Sequence, residues 1–120
     1  MEHRKIAFLH SRQFDDIWKK LGFNDENLRQ LQNIIAKNPD AGKIIRGTGG
    51  FRKMRFACEG GGKRGGVRVI YMELSAYSFV YLLMVYPKAE KDALTSREKT
   101  SLRAISKATV EAFKRREVKW

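Results

Sequence analysis

Residues Gly47 to Tyr71 read GTGGFRKMRFACEGGGKRGGVRVIY, two alternating apolar and basic segments joined by a Gly-rich basic loop. Alternation with a period of two, broken by glycines, describes a β-hairpin and commits the middle of the chain to a sheet. Between Lys43 and Arg68 there are eight Lys or Arg against one acid, Glu59. A positive hairpin without His, Asp or Glu clusters is suited to gripping a polyphosphate rather than holding a metal or running carboxylate chemistry. Nucleic acid is therefore the first partner to consider.

The balance of the whole chain agrees with the hairpin. There are 25 Lys and Arg against 13 Asp and Glu, a net charge of +12, which favours RNA, DNA or an acidic protein. A membrane surface fits less well, because the basic residues are not confined to one amphipathic helix. The 120 residues, 42% of them hydrophobic, suffice for one domain (1–120) with a single modest core. The lone Cys58 cannot close an internal disulfide, and no apolar run after Met1 has the length of a signal or membrane segment. A reducing, cytoplasmic location is expected.

Local patterns give an order of elements. Lys5 to His10 is β-prone, and Ser11 can cap a helix on which Phe14, Ile17, Trp18 and Leu21 share one face before Gly22 closes it. Asn24 opens a second helix that turns Leu28, Leu31, Ile34 and Ile35 inward and stops before Pro39. Pro39 to Gly50 reads as a long loop. On the strand Phe51 to Cys58, Lys53 and Arg55 share a face with Phe51 and Ala57, opposite Arg52, Met54, Phe56 and Cys58. Val67 to Leu74 and Phe79 to Tyr86 supply two more strands, the latter apolar on both faces as in a central strand. Thr95 to Glu98 (TSRE) is a capping box that opens a last helix bearing Leu102, Ile105, Thr109 and Phe113. The order βααβββα predicts an α+β fold: an antiparallel sheet with an N-terminal helix hairpin and a C-terminal helix, the helices on one face and the other partly open as a basic cleft.

Several motifs point elsewhere only superficially. GTGG precedes a strand rather than a helix and lacks the third Gly of a dinucleotide fingerprint; GGGKRGG has Arg64 where a phosphate loop needs Ser or Thr. His3 and His10 have no Cys, His or acid at ligand spacing, so no metal and no cofactor are expected. Exposed lysines and arginines are ordinarily just solvated surface. Arg68, flanked by Val67 and Val69 in a strong strand, is harder to dismiss in that way. Tyr71, Tyr81 and Tyr86 are ordinarily core or edge aromatics, though one facing a cleft could stack on a base.

The runs NPDAGKIIRGTGGFRKMRFACEGGGKRGGVRVIYMEL and YLLMVYPKAEKDALTSRE closely resemble the RelE/HigB-type toxins of bacterial type II toxin–antitoxin modules, over about residues 4 to 105. The resemblance implies a RelE/ParE-like fold and a ribosome-dependent endonuclease that cuts mRNA in the 30S A site, stops translation and is neutralised by a cognate antitoxin. Operator DNA would be met only through the antitoxin complex. It further implies metal-independent cleavage, in which the ribose 2′-OH attacks the adjacent phosphate. By motif match, Lys53 and Arg55 take the positions of the family's catalytic basic residues and Arg68 that of its phosphate-binding arginine. Lys53 doubles as a candidate proton donor or acceptor. Arg52, Lys63, Arg64, Lys88 and Lys91 are candidate RNA or ribosome contacts, and RREVK near the end can add to that affinity. The family's C-terminal tyrosine base is matched by Thr95, which leaves Tyr86, Lys53 or the ribosome to serve as base. Two other functions share the fold: a ParE-like DNA gyrase inhibitor without ribonuclease activity, and a degenerate member that binds nucleic acid or antitoxin without cleaving.

Overall fold

The structure, a computed structural model, describes residues 5–57, 66–88 and 93–115. Five strands form one sheet in the order β1-β5-β4-β3-β2, with β1 Ala7–His10, β2 Lys43–Ile44, β3 Phe51–Phe56, β4 Val67–Leu74 and β5 Phe79–Pro87. Helices α1 (Arg12–Lys20) and α2 (Asp25–Lys37) follow β1, and α3 (Ser96–Lys114) follows β5. The mixed α+β class, the early helix hairpin and the C-terminal helix are as the sequence pattern predicts. Three features of the sheet are not. Inside the expected loop, β2 adds a two-residue strand antiparallel to β3. β1 runs parallel to β5, so the sheet is not wholly antiparallel. Leu83 is an extra residue in β5, where the register with β4 slips between Ile70 and Tyr71.

The helices also lie on both faces, correcting the expected two-layer arrangement with one open face. Phe14, Trp18, Leu31 and Ile35 of α1 and α2 pack on Phe56, Val67, Val69, Tyr71, Val80 and Leu82. Leu102 and Phe113 of α3 pack on Phe51, Ile70, Met72, Leu74, Phe79 and Leu83. The reason lies in β4 and β5: alternate residues point to opposite faces, and apart from Arg68 and Glu73 both sets are largely apolar. Leaving either side bare would expose a continuous hydrophobic sheet to water.

Helix ends follow their caps. The Ser11 hydroxyl accepts from Phe14 N–H (2.9 Å) and donates to Leu83 O (2.6 Å), tying the start of α1 to the central strand. Asn24 and Asn27 cap α2 reciprocally, and Thr95 and Glu98 do the same for α3. Within α2, Ile34 departs from expectation and stands 43% exposed. Leu31 and Ile35 already fill the buried stripe, and one residue of helix turns Ile34 about 100° away from Ile35. Trp18 stacks between Phe14 and Phe23, with ring centroids at 5.4 and 4.3 Å, and its indole N–H donates to Asn24 O, holding the two helices together.

Candidate nucleic-acid interface

Strand β3 begins in the core and ends in a basic cluster. Phe51 is fully buried beneath α3, whereas Lys53 is half-buried and Arg55, further along the same face, is exposed. Register decides what they meet. Arg55 lies directly opposite Arg68 on β4, and Arg68 opposite Tyr86 on β5. In the adjacent row Lys53 is flanked by Ile70 on one side and by Lys43 of β2 on the other. Side chains directly opposite in such ladders have Cβ atoms about 4.5–5.5 Å apart, so Lys43/Lys53 and Arg55/Arg68 are two like-charge pairs, an arrangement that costs stability.

These residues line one open cavity of about 430 Å³, bounded by Ala41, Lys43, Lys53, Met54, Arg55 and Arg68. Among the described residues no carboxylate lines it, and Lys43, Lys53 and Arg68 carry no ion pair. Arg68 Nε is buried without a hydrogen-bond acceptor among them. The sequence motif thus brings Lys53, Arg55 and Arg68 together around a concentrated positive field, which suits an anion with several oxygen acceptors. Tyr86 stands beside Arg68 with 7% of its surface exposed, so it borders the cluster from the core side.

The segment 39–43, which brings Ala41 and Lys43 to the cavity, is held from behind. The fully buried Tyr71 donates its hydroxyl to Pro39 O (2.7 Å) and accepts from Gly42 N–H (2.9 Å). Burial raises the pKa of this phenol, partly offset by the Gly42 hydrogen bond and the charge of Arg52. Arg52, on the face opposite Lys53, donates to Gly42 O (2.8 Å) and Asp40 O (3.3 Å). Gly42 admits no side chain, because a Cβ there would sit 2.9 Å from both Cε1 and Oη of Tyr71. Arg52 is thus committed to the loop and does not line the cavity, and Tyr71 faces the core rather than a cleft.

The remaining expected residues are dispersed. Lys88 is exposed just after β5 and outside the cavity lining. Lys63, Arg64, Lys91 and residues 116–119 of the RREVK run lie outside the described residues. Thr95, matched to the family's tyrosine, caps α3 by accepting from Glu98 N–H (3.1 Å). Tyr81 lines a different groove, with Leu9, His10 and α3. The ring nitrogens of His10 pair with Asp15 and Gln32, and no group of three or more His, Cys, Asp or Glu gathers as a metal site among the described residues. The GTGG segment is a turn. Its buried Thr48 donates to Ile45 O and accepts from Phe51 N–H, while Gly49 O accepts from Ser106 of α3 at 2.7 Å. Lys43 reads in the sequence as one more solvated basic residue; its place in the cavity depends on β2, whose signal, the apolar pair Ile44 and Ile45 just before a turn, is hidden among glycines.

Comparison with known proteins adds a family and a fold. The family described as the RelE toxin of the RelE/RelB toxin–antitoxin system matches residues 6–119. Among solved structures, an arginine-to-alanine double mutant of the E. coli toxin RelE in the free state is similar at 16% identity and a TM-score of 0.52, covering 74% of this chain and 90% of that one. The intact E. coli RelBE toxin–antitoxin complex is similar at 20% identity and a TM-score of 0.50, covering 67% and 93%. At these identities the structural matches speak for the fold.

Proposed function

The chain belongs to the RelE toxin family, and on that premise we propose that it is a metal-independent, ribosome-dependent endoribonuclease that cuts mRNA in the A site and halts translation. The observation that carries the proposal is the cavity that gathers Lys53, Arg55 and Arg68, with no carboxylate in its lining among the described residues. In the reaction, the 2′-oxygen forms a bond to the adjacent phosphorus and the bond from phosphorus to the 5′-oxygen breaks, leaving a cyclic phosphate and a 5′-OH. One proton leaves the 2′-OH and one reaches the departing 5′-oxygen. Negative charge accumulates on the five-coordinate phosphorane, where fixed cations act most strongly. Arg55 and Arg68 are permanently charged and suit that task, and Lys53 can also transfer one of the protons. The ribosome would supply the alignment of attacking and leaving oxygens.

A cognate antitoxin is proposed as the partner that holds the activity in check, in line with the family description and the RelBE complex of E. coli. A net charge of +12 is matched most readily by an acidic antitoxin segment. Cytoplasmic action on ribosomes is part of the same reading; among the described residues no helix is long and apolar enough to cross a membrane.

Primer extension on a defined mRNA in a reconstituted translation system, with and without ribosomes, tests the proposal. Cuts are expected only with ribosomes and only for the wild type, with Arg68→Ala inactive at unchanged helical content by circular dichroism. Growth arrest without any cut would sink the nuclease reading and turn attention to DNA gyrase.

A further inference from the structure

We infer that Lys43 is a fourth phosphate-contacting residue of this cavity, placed to take the phosphodiester next to the one that is cut. The inference rests on the nuclease reading above and extends it to a residue outside the motif. Lys43 lines the cavity with Lys53, Arg55 and Arg68 and lies directly opposite Lys53 in the ladder. Two lysines facing one another without an ion pair repel, and among the described residues no acid in the cavity lining offsets them. A bound anion is the group that would relieve the repulsion.

Lys43 is exposed, and the backbone that delivers it is tied down. Tyr71 and Arg52 together make four hydrogen bonds to the backbone of Pro39, Asp40 and Gly42, immediately before β2. The contact between Gly42 and Tyr71 leaves no space for a side chain, so the loop is packed as well as bonded. A lysine on a mobile loop would lose more side-chain and backbone freedom on meeting a ligand than one delivered on a fixed strand.

Geometry separates its target from that of Arg68. Lys43 and Arg68 sit two strands and one like-facing row apart, about 12 Å on ordinary ladder spacings. Arg55 and Arg68 form one end of the cluster and Lys43 the other, a spread that fits successive phosphates of one strand better than the oxygens of a single phosphate.

The test uses ribosomes programmed with mRNA carrying a 2′-O-methyl group at the cut site, so that binding is read without cleavage. Wild type, Lys43→Gln, Lys43→Arg and Arg68→Ala are compared across salt concentrations. Lys43→Gln is expected to weaken binding several-fold at low salt and to reduce the slope of log affinity against log salt by about 0.7–0.9, the loss of one phosphate contact, while Lys43→Arg keeps the slope. Uncharged methylphosphonates are then introduced singly on either side of the cut site. At one of them, Lys43→Gln should cost nothing beyond the methylphosphonate itself. If Lys43→Gln leaves the slope unchanged while Arg68→Ala lowers it, the role of Lys43 is refuted and the nuclease reading survives. Wild type that does not bind the programmed ribosome at all overturns both.

Discussion

Tyr71 shows how a single core side chain governs a surface site in this protein. Its hydroxyl is the buried partner of both Pro39 O and Gly42 N–H, and through them it fixes the strand that carries Lys43. Tyr71→Phe leaves the buried Gly42 N–H without that acceptor, and a destabilisation of about 1–3 kcal/mol is expected in urea unfolding. The same phenol has a pH signature. Its folded pKa lies above the ordinary value of 10.0, chiefly because burial disfavours the phenolate. The unfolded chain therefore releases the proton first, so this contribution is intact below pH 10 and is lost as pH rises through the folded value. Tyr71→Phe should flatten the alkaline fall in stability, leaving the share of Tyr81, whose pKa burial also raises. The cationic residues themselves were partly legible in sequence: alternation alone puts Lys53 and Arg55 on one face. That Arg55 meets Arg68, and Lys53 meets Lys43, depends on register, which is set by the packing of Phe51, Ile70 and Met72 under α3 and by the Thr48 turn.

Among elements, the helices and their caps were the most legible, because Ser11, Asn24 and the Thr95 to Glu98 box bond to backbone groups within a few residues. The face each helix covers was not legible, since periodicity identifies an apolar stripe without naming the surface opposite it. The two-residue β2 was hidden because so short a pairing with β3 leaves no alternating pattern, and the parallel pairing of β1 because its partner β5 lies far along the chain. The GTGG turn exemplifies a motif whose job became clear only with its neighbour. Gly49 has φ +76, and a Cβ there would lie 2.8 Å from Ser106 Oγ, so the turn docks α3 by backbone contact. Gly49→Ala combines a left-handed backbone with that contact and is expected to cost about 1–3 kcal/mol, read as a lowered midpoint in urea. Loss of activity in that variant should track loss of fold, unlike Lys43→Gln, which keeps its fold.

For the molecule as a whole, the apolar core and the basic site divide one sheet between them. The face beneath α3 is apolar through Phe51, Ile70 and Met72 and gives way at the β2–β3 corner to Lys43, Lys53, Arg55 and Arg68. Such a gradient lets a chain of net charge +12 keep an apolar core on each face of its sheet, rather than the single core expected from composition, while concentrating its field at one place. In the proposed function these cations perform the cleavage rather than merely attract RNA. Single-turnover cleavage on saturating, programmed ribosomes separates the two, with Arg55→Ala and Arg68→Ala compared against Lys37→Ala at the end of α2, outside the cavity lining. A fall of about 10²–10³-fold in the cleavage step is expected for the two cavity variants and none for Lys37→Ala. Cleavage at the wild-type rate by Arg55→Ala and Arg68→Ala, once saturation has removed any binding defect, would contradict it.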